Sequence, residues 1–514
     1  MSLLLGIDIG TSGTKTVLFD DNGSIITSAA QEYPLYQPNI GWAEQDPEDW
    51  WRAVCSTVRE VIDKSGVCAS EIKAIGLSGQ MHGAVLLDKN GSVLRNAIIW
   101  CDQRSTKECD EITSRVGNEN LVSISANPAL TGFTASKVLW VRNNEPQVYE
   151  KINKILLPKD YIRYRLTGEF ATEVSDASGM QFMDIKNRTW SSELLDRLEI
   201  YMDFLPHLYE SHEISGKVNK YAEELTGLKE GTPVVGGAGD QAAGAVGNGI
   251  VKEGIISSTI GTSGVIFAYS KDVLIDPKGR VHTFCHAIPN TWHVMGVTQA
   301  AGLSIKWFRD NFCIEEKRVA ELLEKDPYTL MDEEASKIEA GSKGLIYLPY
   351  LMGERTPHLD PNAKGVFFGL TAKHGKKEMI RAVMEGVAFS LRDSLEIISG
   401  MGVEIKEVRA SGGGGKSKVL RQMQADIFGI NISTVSTNEG PALGAALLAG
   451  VGAGVYGSIQ QACNIAIKAK VTEQVNSDLT RKYLRYYKIY KKLYEALRYE
   501  FLGLVKLMDE MYNN

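Results

Sequence analysis

The sequence has no CxxC pair, no uncharged apolar run of membrane-spanning length and no excess of basic residues. Each absence closes off a class of protein. The seven cysteines, Cys55, Cys68, Cys101, Cys109, Cys285, Cys313 and Cys463, form an odd, scattered set. Such a set reads as reduced intracellular thiols, not as a disulfide framework. Without an apolar stretch of about 20 residues no transmembrane helix is expected. The opening MSLLLGIDIG carries no basic leader and is interrupted by Asp8, so it reads as a first strand rather than a signal peptide. A net charge of −7 gives no electrostatic footprint for nucleic acid or for an anionic membrane. A cytoplasmic protein working on small molecules is expected. At 514 residues the chain exceeds one ordinary core, so two domains are expected.

Glycine, by contrast, is plentiful and patterned. IGTSG stands at residues 9–13, within GIDIGTSGTKTVLF, and returns at 260–264, within IISSTIGTSGVIFAY. Both copies run apolar strand, Gly-Thr-Ser-Gly turn, apolar strand. Two related halves, each with such a hairpin, account for the repeat. A tip of this kind exposes consecutive backbone N–H groups and hydroxyls without bulk, which is how proteins cradle phosphate oxygens. Two tips facing across an interdomain cleft would hold one triphosphate from both sides.

Around the hairpins the pattern is that of an α/β protein. Trp50, Val54, Val58 and Val61 predict a helix over 47–63, and IKAIGLSG predicts a strand over 72–79. Asn-Gly pairs at Asn22-Gly23 and Asn90-Gly91 mark hairpin turns. The region from about 105 to 230 is helical and polar and reads as an insertion or lid-bearing segment. VVGGAG (234–239) leads into Asp240-Gln241, VRAS (408–411) leads into GGGG (412–415), and GPALGAALLAG (440–450) predicts a small-residue helix. A last helix over 479–512 carries Tyr483, Tyr487, Tyr490, Tyr494, Leu497, Phe501, Leu504 and Met508 on one face. With Tyr486 added, this is more aromatic surface than one narrow face can bury, and a homodimer interface is the expectation it raises.

Several residues stand out as chemistry. Asp8 and Asp240 each end a strand beside a glycine turn, where a carboxylate either caps the turn or holds hydrated magnesium next to a phosphate. His82, in Gln80-Met81-His82-Gly83, ends another strand; it is either structural or a donor to a ligand hydroxyl. His282, Cys285 and His286 have the spacing of neither a zinc ribbon nor a finger, so no metal is expected there. Residues 410–417, ASGGGGKS, nearly satisfy the P-loop pattern. Too little chain follows to build a P-loop sheet, so the stretch reads as a flat glycine surface for a nucleoside.

Taken together, these motifs resemble those of the FGGY family of carbohydrate kinases over essentially the whole chain. GIDIGTSGTK and STIGTSG are similar to the family's two phosphate loops. TASKVLWVRNNEP (134–146) and GVFFGLTAKHGKKEMIRAVMEG (365–386) are similar to its longer signatures. QMHG, LLPKDYIRYRLTGEF, SDASG and LPYLMGERTPH resemble the branch that acts on ketopentoses. The resemblance implies a duplicated actin-like (ribonuclease-H-like) ATPase fold, with domain 1–246 for sugar and phosphate and domain 247–514 for nucleotide around a cleft. It implies phosphorylation of D-xylulose to D-xylulose 5-phosphate, with ATP as co-substrate and Mg2+ as cofactor. Carried over residue by residue, it puts the general base on Asp240 and the magnesium-associated carboxylate, acting through water, on Asp8. Gln80, Met81, His82, Asp240 and Gln241 fall on sugar positions, and some relatives have Asn where this chain has Gln241. Thr11, Ser12, Gly261 and Thr262 fall on the phosphate turns; Gly302, Gly413, Gly414 and Ser417 fall near the nucleoside. D-ribulose, L-xylulose, gluconate and glycerol are the alternative acceptors. A non-catalytic sugar sensor is the alternative of another class, and the carboxylate of Asp240 argues against it.

Overall fold

The computed structural model describes residues 2–436 and 439–512. The first half is built on strands β1 (Leu3–Ile9), β2 (Gly13–Phe19), β3 (Ile25–Glu32), β4 (Ile72–Gly79), β5 (Ile214–Lys217) and β6 (Pro233–Val235). They form one sheet in the order β5–β6–β4–β1–β2–β3. The second half uses β7 (Gly254–Ile260), β8 (Gly264–Ser270), β9 (His282–Cys285), β10 (Trp292–Thr298), β11 (Ile405–Ser411), β12 (Ile432–Val435) and β13 (Ala469–Glu473), in the order β9–β10–β8–β7–β11–β12–β13. In each half the Gly-Thr-Ser-Gly hairpin is antiparallel and its first strand pairs in parallel with the strand beside it, β4 or β11. The repeated pentapeptide therefore marks a duplicated sheet.

The helix predicted over 47–63 spans α1 (Pro47–Ser65). Asp46 caps it by accepting from Glu48 N at 2.9 Å, Pro47 supplies a preset φ, and Gly66 ends it at φ 66°. Trp50, Val54, Val58 and Val61 lie on its buried face against the first sheet. The stretch expected as an insertion is mostly helical, but it also supplies β5, the edge strand of the main sheet. Pairing with β6 satisfies β5's backbone, a long-range event that local pattern does not reveal.

Two small-residue helices, α2 (Asp240–Gly247) and α6 (Gly440–Gly452), lie against each other in a core shared by both halves. Their closeness explains their composition. A Cβ on Gly6 or Gly76 would stand 2.0 or 1.9 Å from the carbonyl oxygens of Ala442 and Ala445 on α6. The helix from the second half thus rests directly on the sheet of the first, and the cleft opens beside it.

The final helix, α7 (Ser477–Tyr512), corrects the reasoning from its aromatic stripe. Tyr483, Tyr487, Tyr490, Tyr494 and Phe501 are all buried in the core of their own half, and Tyr486 packs against that core. Their hydroxyls are used there. Tyr483 donates to Glu385 at 2.7 Å, Tyr487 to Asp393 at 2.5 Å and Tyr494 to Asp360 at 3.0 Å, while Tyr490 bonds Tyr350 at 3.3 Å. The aromatic surplus is core, so the observation that pointed to a dimer is gone.

Candidate active site

The first hairpin tip is braced from behind. Gly10 N donates to Gly13 O at 3.1 Å, and Tyr33 OH donates to Gly10 O. Gln45 Nε2 donates to Thr11 O at 2.8 Å, and Trp100 Nε1 donates to Thr11 Oγ1 at 2.9 Å. Gln80 is fully buried, with its amide bonded to Gln45 at 2.7 Å and Thr11 at 3.3 Å. Its side chain is spent on holding the tip. Ser12 is left exposed.

The second tip is gripped by the loops around it. Gly302 N and Leu303 N, at the start of α3 (Ala301–Phe312), donate to Gly261 O and Thr262 O at 3.0 Å each. A Cβ on Gly302 would sit 2.1 Å from Gly261 O, so this contact requires glycine. Gly414 packs on the Ile260 side chain, and Ser417 Oγ caps α5, the helix Lys418–Phe428, by accepting from Leu420 N at 3.0 Å. Gly261 and Thr262 remain exposed. Of the expected nucleotide residues, Gly302, Gly414 and Ser417 therefore have structural partners within the protein.

Two carboxylates stand close enough to act on each other. Asp8 is the one incompletely buried residue of β1, and Ser78 Oγ on β4 donates to its Oδ1 at 2.9 Å. Burial pushes its carboxyl up to about 6, with the Glu439 charge adding to the rise. Asp240 opens α2, where Gly239 enters the helix, and burial pushes it up to about 7, reinforced by Asp8. Gln241 bonds Asp240 and limits that rise. The strand leading to Asp240 is fixed by a buried ionic cluster. Lys159 Nζ lies 2.8 Å from Asp160, 3.4 Å from Glu173 and 3.1 Å from Asp176. Arg163 in the same cluster donates to Gly236 O, and Ser175 Oγ accepts from Gly239 N at 3.1 Å. A charge network of this kind specifies a backbone position at the cost of desolvation.

His82 has φ 69°, a conformation that non-glycine residues adopt only when their surroundings hold them there. Lys137 Nζ donates to His82 O at 2.8 Å and to Gly132 O at 2.5 Å, and Thr134 Oγ1 donates to His82 O at 3.1 Å. The Lys137 ammonium is buried, which lowers it to about 7. The His82 ring packs against Phe133, tilted by 46° with 4.8 Å between centroids, and burial lowers it to about 3, so it is neutral at working pH. Its Nδ1 lies 3.0 Å from Gly179 O, a group that only accepts, so Nδ1 carries the proton and Nε2 is an acceptor. The ring thus cannot be the donor that the sequence suggested. Met81 packs beneath Gly239, where a Cβ would meet its sulfur at 3.0 Å. His282 and His286 are tied to Asn127 Oδ1 at 2.8 Å and Ile250 O at 3.1 Å.

Between the halves lies a cavity of 410 Å³. Asp240, Gln241, Gly244 and Ala245 line it from one face of α2, and Asn248, which caps that helix, lines it too. Gly412, Gly413, Gly415 and Lys416 form another wall, with Thr434, Val435, Gly440 and Pro441 beside them. Most of the ASGGGGKS stretch thus lines the same cavity as Asp240. Sequence reasoning missed Trp100 and Lys137. Lys137 sits inside TASKVLWVRNNEP, where a lysine on a helix otherwise buried along its length is the signal that would have found it.

The matches with known proteins follow the same two halves. The family model for the N-terminal domain of the FGGY family of carbohydrate kinases matches residues 3–247, and that for its C-terminal domain matches residues 256–453. A xylulose kinase of Bacillus subtilis (strain 168) is 41% identical over 448 residues, covering 87% of this chain and 88% of its own. One of Escherichia coli (strain K12) is 41% identical over 447 residues, covering 87% and 89%. A crystal structure of a xylulose kinase from Brucella ovis superposes with a TM-score of 0.87 at 36% identity, covering 96% of this chain and 99% of that one. With both domain models matched in order, and with the duplicated sheets and the cleft carboxylates in place, the chain belongs to the FGGY family of carbohydrate kinases.

Proposed function

We propose that the chain transfers the γ-phosphoryl group of ATP to the C5 hydroxyl of D-xylulose, giving D-xylulose 5-phosphate and ADP, with Asp240 as general base. Asp240 itself carries the reading. It is a carboxylate raised to about 7, lining a cavity that the Gly412–Lys416 loop also lines. A base poised near the working pH combines the right protonation state with a real driving force for proton transfer. The similarity to xylulose kinases supports the choice of sugar.

In the reaction the hydroxyl oxygen bonds to the γ-phosphorus, the bond to the β,γ-bridging oxygen breaks, and Asp240 takes the hydroxyl proton. Phosphoryl transfer depends on positioning and charge neutralisation more than on covalent catalysis. The exposed tips at Ser12 and Thr262 offer hydroxyls and backbone N–H groups to the phosphates. His82 Nε2 accepts a hydrogen bond from a sugar hydroxyl, and the cavity wall at Gly412–Lys416 takes the nucleoside. Asp8 suits a magnesium ion: one carboxylate oxygen accepts from Ser78, and burial beside the Glu439 charge leaves it a negative charge that a divalent cation would relieve. Asp8 would hold it through water. Bound with the triphosphate, magnesium neutralises charge on the phosphate oxygens. The seven unpaired cysteines support a reducing, cytoplasmic setting.

The test is ADP release with D-xylulose, D-ribulose, L-xylulose, glycerol and gluconate as acceptors. D-xylulose should give the highest kcat/KM. A clear preference for glycerol or gluconate would overturn the sugar assignment and leave the family untouched.

A further inference from the structure

Arg355 lies in the loop of the second half that joins Glu354 to Thr356, and its backbone is firmly held. Glu354 accepts from Thr298 Oγ1 at 2.6 Å, from Gln299 N at 2.9 Å and from Arg355 N at 2.8 Å. Thr356 N donates to Val297 O at 2.9 Å, and Thr356 Oγ1 donates to Arg280 O at 2.6 Å. The side chain is treated differently. Among the described residues the Arg355 guanidinium has no hydrogen-bond acceptor and no ion pair; the residue is half-buried, and burial disfavours its charge. The Glu354 charge favours the guanidinium, but the Glu354 oxygens are turned to Thr298, Ser390 and two backbone N–H groups.

The guanidinium crosses to the first half. Its Nη2 lies 4.0 Å from the place a Cβ on Gly132 would occupy. Gly132 precedes Phe133, whose ring packs at a tilt against His82, and the carbonyls of Gly132 and His82 share the Lys137 ammonium. Arg355 also sits close enough to His82 and His282 to disfavour protonation of both rings. It is absent from the wall of the Asp240 cavity. The groups that bear electrostatically on Asp8 are Ser78, Glu439 and Lys15, and those on Asp240 are Asp8 and Gln241. Arg355 therefore stands beside His82 and Gly132, and it bears on neither Asp8 nor Asp240.

A positioned cation without a partner, fixed at its base and free at its tip, is a group waiting for electron-rich oxygen. The planar fork of a guanidinium matches two adjacent oxygens, such as a carbonyl and its neighbouring hydroxyl. We propose that Arg355 is a specificity-determining contact that holds the C1–C2 end of the sugar, opposite the hydroxyl that Asp240 deprotonates. Because it comes from the second half while His82 and Lys137 come from the first, the sugar completes a bridge between the halves. The inference rests on the ketopentose reading of the cleft.

The experiment compares Arg355→Met and Arg355→Lys with the parent enzyme, measuring KM for D-xylulose, KM for ATP, kcat, and ATP hydrolysis without sugar. Losing hydrogen bonds from a charged donor should raise KM for D-xylulose by roughly 10–100-fold in Arg355→Met, with KM for ATP and sugar-free hydrolysis within about twofold. Arg355→Lys should recover part of the loss. An unchanged KM for D-xylulose overturns the proposal, as does an equal loss of ATP affinity, which would move Arg355 to the phosphates. An Arg355→Met protein that no longer folds also overturns it, since the side chain would then be structural. If the parent enzyme prefers gluconate, the ketopentose reading fails. Arg355→Met is then measured with gluconate, where a raised KM keeps the contact and an unchanged one removes it.

Discussion

Ser78 Oγ donates to Asp8 Oδ1 at 2.9 Å, and at the matching place in the second half the hydroxyls of Thr259 and Ser411 are bonded at 2.7 Å. The match is one of register. Asp8 is paired with Ser78 across β1 and β4, and Thr259 with Ser411 across β7 and β11. Asp8 and Thr259 each stand two residues before their Gly-Thr-Ser-Gly tip. Duplication has kept the side-chain bond and changed its chemistry, so that one half offers a charge and the other does not.

That asymmetry gives a first prediction. Asp8→Thr recreates the pairing of the second half, so the protein should fold with a nearly unchanged melting temperature. Turnover should fall by roughly 10²-fold or more, as removal of one electrostatic contributor in an active site commonly does. The apparent requirement for Mg2+ should rise as well. Normal turnover at the parent's magnesium concentration would show that Asp8 is a turn cap.

Asp240→Asn should leave the affinities for ATP and sugar within a few fold and reduce kcat by roughly 10²–10⁴-fold. In the parent enzyme kcat/KM should climb with pH and level off once Asp240, at about 7, is ionised. The same carboxylate weakens the fold. Its folded pKa lies above the ordinary 3.8, so its contribution is fully present below about pH 4 and is lost as pH rises through 7. Without ligands, Asp240→Asn should therefore be more stable than the parent at pH 8, on the order of 1–2 kcal/mol, and equal to it near pH 4. Denaturant titrations at the two pH values measure the difference.

Lys416 closes the P-loop-like stretch, and the structure puts it on the cavity wall with Gly412, Gly413 and Gly415. The loop follows β11, whose parallel neighbours are β7 and β12. Lys416→Ala should raise KM for ATP and leave kcat at saturating ATP largely intact. A folded variant without turnover at saturating ATP would instead put this lysine on the transferred phosphate.

Much of this fold is legible in the sequence because it is local. The hairpins announce themselves by repeating five letters, and α1 by its cap, its proline and its buried face. Helix α6 is readable as small, but the reason for its smallness is the sheet of the other half lying against it. The site is less legible. Asp8, Asp240 and His82 stand in recognisable motifs, yet the proton on His82 is assigned by Gly179, which is far away in sequence. Arg355 and Lys137 reach Gly132 from different halves, and no spacing rule brings them together. The aromatic face of α7 misled for the same reason, since the carboxylates its tyrosines reach, Glu385, Asp393 and Asp360, are contributed by distant segments.

The last prediction concerns that helix. Truncation after Asn476 would remove four buried tyrosines and Phe501 from the core of the second half, so cooperative unfolding should be lost along with phosphoryl transfer. Tyr487→Phe is the finer probe. Tyr487 OH donates to Asp393, whose surroundings also include Lys491, Glu396 and Glu354, and burial holds that carboxyl at about 7. The folded pKa exceeds the ordinary 3.8, so ionising Asp393 destabilises the fold as pH rises through 7. The tyrosine bond opposes burial by favouring the ionised form, and removing it pushes the carboxyl higher still. At pH 5 Asp393 is protonated in both proteins, and Tyr487→Phe should cost about 1 kcal/mol, the worth of a neutral hydrogen bond. At pH 8 the lost partner is that of a buried charge, and the cost should grow to about 2–3 kcal/mol. Urea unfolding at both pH values reads the two costs directly. Equal costs would mean that Tyr487 contributes by packing alone.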